Sequence, residues 1–197
     1  GTHRTLPIRD DPVFDEKFYS PRGEARENGS GGWEPALEKT GGLFCGAKGS
    51  PEPGGWRARA GAEIPLIPTA IGWHPAEKTA EGAAQHNAWQ TIQRSHAIAN
   101  GCFVAAVNRI GHEAPADDAD DTDDASGTGG KGIEFWGQSF VAAPSGEIIA
   151  QAAADQPETL LVQVDLSQVN EARTHWPFLR DRRIDAYGGI TERFLDS

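Results

Sequence analysis

Two cysteines, one conspicuous glutamate and six histidines carry most of the nucleophilic and proton-transfer capacity of this chain. Cys45 follows Leu43-Phe44 and precedes Gly46, with Pro51-Glu52 placed to open a helix. A cysteine between a strand and a helix start is held near partial positive charge, which favours the thiolate. The competing reading is a small buried hydrophobe. Cys102 fits that second description, because it opens the apolar run Cys102 to Ile110. Glu16, in Asp15-Glu16-Lys17-Phe18-Tyr19, is a carboxylate beside aromatics. Partial desolvation would raise its pKa and suit proton transfer; a surface ion pair is the alternative. His3, His74, His86, His96, His112 and His175 show no metal-ligand spacing, and no Gly-x-Ser-x-Gly elbow is present.

The elements that must position these groups follow an α/β pattern. Ala62 to Ile71 reads as a buried strand, and Gly82 to Asn100 as a helix. Ala88, Ile92, Ser95 and Ala99 recur at helical spacing and mark its apolar face. Asn100-Gly101 supplies the stop. Cys102 to Ile110 and Ile133 to Ala142 read as strands, each continuous. Pro144-Ser145-Gly146-Glu147 turns a hairpin whose return strand is Ile148 to Ala152. Thr159 to Leu166 reads as a further strand, with Ser167 as the N-cap of a short helix. Strand, helix, strand and hairpin in that order predict a mixed sheet in one domain.

Composition narrows the partners. Of 197 residues, 18 are Lys or Arg and 29 are Asp or Glu, a net charge of −11, which argues against a nucleic-acid surface. No apolar run is long enough to span a membrane, and no secretory signal opens the chain. Two cysteines cannot make a disulfide scaffold, so the sequence predicts a reduced, cytoplasmic protein. No methionine occurs, not even at position 1, which reads as a fragment or a processed piece. Seven acids between Glu113 and Asp124 have no basic residue among them. With the glycine-rich stretch that follows, 113–131 reads as a solvated acidic loop; calcium is the alternative, but the EF-hand spacing is missing. No sequence feature calls for a metal or an organic cofactor.

Several segments together carry a resemblance. Asp10-Asp11-Pro12, Glu16-Lys17-Phe18-Tyr19, Pro68-Thr69-Ala70-Ile71-Gly72-Trp73-His74-Pro75, Val107-Asn108-Arg109-Ile110-Gly111, Glu134-Phe135-Trp136-Gly137 and Arg180-Asp181-Arg182-Arg183 resemble the nitrilase superfamily of carbon–nitrogen hydrolases. Within the superfamily the sequence looks most like the N-carbamoylputrescine amidase branch. The likeness covers residues 3–20 and about 60–196. It implies part of a four-layer α-β-β-α sandwich, and a cysteine thiolate that forms a thioester with a carbon–nitrogen substrate. It also implies a small carbamoylated amine or amide as substrate and assembly into a homo-oligomer, with Trp176 to Tyr187 meeting a partner subunit.

Carried over by motif, Cys45 falls on the nucleophile, 23 residues before Pro68. Glu16 falls on the accessory glutamate, and Thr69 and Ala70 line the pocket. Trp73, His74 and Trp89 either shape that pocket or pack the core. The lysine position is occupied by Thr5, and a threonine hydroxyl brings no positive charge to an oxyanion. The general-base glutamate would precede Gly1. This chain is therefore expected to be impaired, and a catalytically inactive structural or binding subunit is the alternative to an enzyme. Residues 22–60 depart most from the family. Residues 22–61 hold 11 of the 24 glycines, and Cys45 is followed by Gly46-Ala47-Lys48-Gly49. A compensated reading-frame shift over Gly46 to Arg57 would produce such a stretch. With Gly54 and Gly55 at about 1 kcal/mol each in a helix interior, 22–60 is expected to be irregular.

Overall fold

The computed structural model describes residues 40–42, 54–55, 58–113 and 132–192. Five strands form the main sheet: β1 (Thr40–Gly42), β2 (Ile64–Thr69), β4 (Val104–Asn108), β7 (Phe140–Ala142) and β8 (Ile148–Gln151), in that spatial order. β1, β2 and β4 are parallel, whereas β4–β7 and β7–β8 are antiparallel, so the sheet is mixed as expected. A smaller sheet has β3 (Gly72–Trp73), β6 (Ile133–Phe135) and β5 (His112–Glu113) in the order β3-β6-β5. The helices are α1 (Pro75–Lys78), α2 (Gly82–Asn100) and α3 (Ser167–His175). Two 3-10 turns, Ile184–Ala186 and Gly188–Thr191, follow. This is an α/β fold with flanking helices, consistent with part of a four-layer sandwich. No helix among the described residues is long and apolar enough to cross a membrane.

Period-2 patterning decides how β2 and β4 sit. Ile67 and Thr69 on β2, with Val104, Ala106 and Asn108 on β4, are buried on one face. Ile67 pairs with Ala106, and Thr69 with Asn108. The same face takes Trp89 and Ala97 of α2, together with Trp136 and Phe140, to make the main core. On the other face Pro68 is exposed and its register partner Val107 is half-exposed. A second, smaller cluster joins Phe103, Ala143 and Val169, with Ile64, Val164 and Leu166 packed against it.

Several elements differ from the sequence reading. Ile133 to Ala142 is not one strand but two, β6 and β7, in different sheets. Gly137 and Gln138 take φ of +58° and +52°, which turns the chain between them. Gly137 is required there, since a Cβ would overlap the Ala154 carbonyl. Thr159 to Leu166 pairs with no strand among the described residues, although residues 160–166 keep a strict alternation of half-buried and exposed positions. α3 starts at Ser167, but it is the Asp165 carboxylate that accepts the Ser167 N–H, at 2.9 Å. The hairpin forms as expected, with Ala143 N–H donating to Glu147 O at 2.8 Å.

The largest difference lies on α2. Its buried face carries Trp89, Gln93, His96 and Asn100, whereas Ala88, Ile92, Ser95 and Ala99 are all exposed. The two sets have identical spacing and differ by one residue, about 100° around the helix. Aromatic area took the inner face and drew polar side chains in with it: Asn100 Nδ2 donates to His96 O at 2.9 Å, whereas fully buried Gln93 has a hydrogen-bond partner for neither amide atom.

The Gly-rich stretch is also less irregular than expected where it is described. Residues 54–55 and 58–59 are helical, and Gly54 and Ala58, four residues apart, are buried. A Cβ at Gly54 would lie 2.5 Å from His96 Nδ1. The missing side chain, costly in an isolated helix, here lets the segment approach α2. The Pro51-Glu52 helix start and the acidic residues beyond Glu113 lie outside the described residues.

The turn at Gly137 gives a stability prediction. Gly137→Ala adds a strained left-handed backbone to a steric overlap, so it is expected to cost at least about 1–3 kcal/mol. The urea-unfolding midpoint measures this; an unchanged midpoint would refute the stated constraint.

Candidate functional site

The carboxyl ends of the parallel strands β2 and β4 define one edge of the main sheet. Such an edge is where open α/β sheets usually place ligands. Thr69 and Asn108 close the two strands in register. Both are buried. The Asn108 side chain then acts as a clamp. Its Oδ1 accepts the Ile71 N–H at 2.9 Å, and its Nδ2 donates to Ile71 O at 3.0 Å. A carboxamide thus supplies the two bonds that a neighbouring strand would give, just where β2 has ended. Thr69 Oγ1 lies 2.9 Å from Asn108 Oδ1 and 3.0 Å from Val107 O, and its single proton serves one at a time. Asn108 N–H donates to Ser139 Oγ at 3.0 Å. Trp136 N–H reaches Ile71 O at 3.1 Å, and Gly137 N–H reaches Arg109 O at 2.8 Å. The segment between β6 and β7 is thereby laced onto the same edge.

Beyond Ile71 the chain enters β3. Ala70 and His74 are exposed and Trp73 is half-buried. The Trp73 indole N–H donates to Gly82 O at 2.9 Å, which ties this turn to the start of α2. Lys78 lies 5.2 Å over the Trp73 ring and pairs with Glu134 at 2.5 Å. Both members of that pair are half-exposed, so it adds little stability. Arg109 stacks 4.2 Å over Phe135 and pairs with Glu113 at 2.6 Å.

Behind the edge sits an aromatic group. His86, Trp89 and Trp136 form a closed triangle with centroids 5.4 to 5.8 Å apart, and Trp73 touches His86 and Trp136. Trp89 also meets Phe140 edge-on at 5.5 Å. At 4 % exposure Trp89 belongs to the core, so the packing alternative describes it. Trp73 spans core and edge, while His74 is at the surface. Burial lowers the His86 pKa from its ordinary value.

The structure thus brings Thr69, Ala70 and Trp73 to one edge with His74 beside them, and leaves Trp89 behind it. Cys45, Glu16 and Thr5 lie outside the described residues. Sequence reasoning overlooked Asn108, Ser139, Trp136 and His86. Asn108 had a usable signal: it continues the inward set Val104, Ala106, where a polar residue must find partners. Among the described residues no three His, Cys, Asp or Glu side chains gather as metal ligands. Cys102 is fully buried, and desolvation pushes its thiol up to about 12, so it is no nucleophile near neutral pH.

Two predictions come from this geometry. Asn108→Ala leaves the Ile71 N–H without its partner and Ile71 O with only the Trp136 N–H, and is expected to cost about 2–4 kcal/mol. Denaturant unfolding checks it, and a loss below the error of the fit would contradict the clamp. His86 is held neutral by burial, so the unfolded state takes up its proton first. Its contribution to stability is complete above the ordinary pKa of 6.5 and falls as pH drops below that value. His86→Gln should flatten the urea midpoint between pH 7.5 and pH 5 relative to the parent (values chosen to bracket about 6.5). Parallel pH profiles for the two would count against it.

Comparison with known proteins agrees with this architecture. The carbon–nitrogen hydrolase family model matches residues 2–174. The N-carbamoylputrescine amidase of Arabidopsis thaliana is 34 % identical over 187 residues, 95 % of this chain and 58 % of the relative. The citrullinase of Francisella tularensis is 31 % identical over 194 residues, 98 % of this chain and 61 % of the relative. A crystal structure of a carbon–nitrogen hydrolase from Helicobacter pylori G27 superposes with a TM-score of 0.78 at 41 % identity, covering 98 % of this chain and 61 % of that one. The chain therefore spans about three-fifths of the length of these relatives. With the matched span and the shared fold both in view, the chain belongs to the carbon–nitrogen hydrolase family.

Proposed function

We propose that this chain carries the nucleophile and one pocket wall of a cysteine-dependent amidohydrolase that cleaves a non-peptide carbon–nitrogen bond. The observation that carries the reading is the parallel edge. β1 lies beside β2 and runs the same way, so it points toward the edge where Thr69 and Asn108 sit. Cys45 is three residues beyond Gly42, the last residue of β1. The family match spans Cys45, Glu16 and the whole of that edge.

The substrate proposed is N-carbamoylputrescine or a similar small carbamoylated amine, because amidases of that name are among the relatives. The Cys45 thiolate attacks the carbamoyl carbon, and the carbonyl π pair moves to oxygen. Ammonia leaves with its bonding pair and a proton, and a thiocarbamate ester remains on the sulfur. Water then attacks the same carbon, releases the thiolate and gives a carbamate, which falls to carbon dioxide and the free amine. Glu16 holds position as the accessory carboxylate. Ala70, His74 and Trp73 face the substrate side of the edge, which Thr69 supports. The enzyme works in the cytoplasm as a homo-oligomer and uses no cofactor.

One observation favours a second reading. Thr5 stands at the position of the oxyanion-stabilising lysine, and a hydroxyl offers no full positive charge. On that reading the chain is an inactive structural or binding relative.

The test is ammonia release from N-carbamoylputrescine. In protein that carries the residues upstream of Gly1, measurable turnover that disappears in Cys45→Ala is expected, together with a gain of about 100-fold or more in Thr5→Lys, the scale of one oxyanion donor. No turnover by either the parent or Thr5→Lys would support the inactive reading. In native protein at pH 8 iodoacetamide is expected to label Cys45 alone, with Cys102 labelled only after unfolding; peptide mass spectrometry reads both. Labelling of native Cys102 ahead of Cys45 would overturn the assignment of the nucleophile.

A further inference from the structure

Four side chains behind the edge bury polar atoms that have no hydrogen-bond partner among the described residues: His86 Nε2, Trp89 Nε1, Trp136 Nε1 and both amide atoms of Gln93. Gln93 is fully buried, Trp136 is 2 % exposed and Trp89 4 %. The four are neighbours. His86, Trp89 and Gln93 follow one another along one side of α2 at spacings of three and four residues. Trp136 comes from the opposite side, its ring 5.4 Å from His86 and 5.8 Å from Trp89. Both contacts are edge to face, at 71° and 70°. Buried polar groups of folded proteins nearly always have a partner, so a cluster of orphaned ones calls for a ligand.

We infer that this cluster holds internal water, at least one molecule bridging the indoles of Trp89 and Trp136 and the amide of Gln93. This inference does not depend on the proposed reaction. The inventory of donors and acceptors selects the ligand. An indole N–H only donates, so the ligand must accept from two indoles. Gln93 Oε1 only accepts, so the ligand must donate as well. Water does both, and a buried water typically makes about three such bonds. An anion accepts but does not donate, and no charged side chain belongs to the cluster. Lys78, over the Trp73 ring, is already paired with Glu134. A metal ion needs lone pairs where the indoles present N–H, and no three ligating side chains gather among the described residues. Rings this close leave room for only the smallest of ligands. The His86 imidazole, held neutral by burial, offers Nε2 to the same water as donor or acceptor. The place matters for the edge. Trp136 N–H is bonded to Ile71 O, and Trp73 packs on both His86 and Trp136. Water here ties α2 to the chain segment that Asn108 clamps.

A crystal structure of the chain and urea unfolding of Gln93→Met test this together. The crystal is expected to show water about 2.7–3.2 Å from both indole nitrogens and from the Gln93 amide. Indole N–H groups aimed at a ring face or directly at Gln93 Oε1, with no water between, overturn the inference. So does any occupant other than water. Gln93→Met keeps an unbranched side chain of similar length and removes both amide atoms. Where water satisfies the amide, the variant strips that water of partners, and the folding equilibrium constant should fall about 10-fold or more. Where the amide is buried dry, methionine relieves it and the urea midpoint stays or rises, which overturns the inference. Gln93→Leu, different in shape, should shift the midpoint the same way; it carries the test if the methionine variant does not fold.

Discussion

The Asn108 carboxamide is the point on which the edge depends. β2 and β4 are held in register by their backbones as far as Thr69 and Asn108. One residue further the chain must leave the main sheet, run through Ile71 and start β3 in a different sheet. A polypeptide that leaves a ladder inside a packed fold exposes an N–H and a C=O that need partners. Asn108 fits both with one planar group, because its acceptor and donor are spaced like those of a peptide unit. Aspartate offers no donor and leucine offers neither. The residue is fixed in turn by Thr69 Oγ1 at its side chain and by Ser139 Oγ, just before β7, at its backbone N–H. Three segments distant in sequence therefore meet at one residue, two through its side chain and backbone in turn, and the lip they form can be rigid without being regular. The edge thus keeps its main-chain groups fixed where the strands have already ended.

The core behind the edge obeys a second constraint. The sheet offers α2 small residues, Ala106 and Ala142, opposite large ones, Trp89, Trp136 and Phe140. Large rings over small side chains fill volume with little waste. The helix therefore turns its tryptophan inward even though this brings Gln93, His96 and Asn100 in as well. Indole area outweighs the loss of solvation for those polar groups, because a buried tryptophan contributes more than several alanines. What stays outside is the weakly apolar stripe. Its exposure follows from the inner packing.

Much of this could be read in the sequence, and the failures have definite causes. The β2–α2–β4 succession and the hairpin at Pro144 to Glu147 followed from periodicity and turn chemistry, which are local. The two faces of α2 could not be separated, because 88/92/95/99 and 89/93/96/100 have the same period. Hydropathy chose the set with fewer polar residues and overlooked the size of Trp89. The break of Ile133 to Ala142 into two strands was invisible because Trp136 and Ser139 suit a strand as well as a turn, and only the close approach of Ala154 makes Gly137 decisive. Motif likeness brought Thr69 and Trp73 to attention, but the hydrogen bonds that make the site came from Asn108 and Ser139. Those bonds join residues 31 to 39 positions apart, a distance no local pattern reports.

The Gly-rich segment shows how far composition alone can mislead. In an isolated helix Gly54 costs stability through backbone entropy. Against α2 the sign changes. His96 sits where a β-carbon would go, so the glycine cost is exchanged for a close helix–helix approach. Ala58, one turn on, continues the same small-residue face. The same reasoning ties Gly54 to the inner side of α2, where it meets His96.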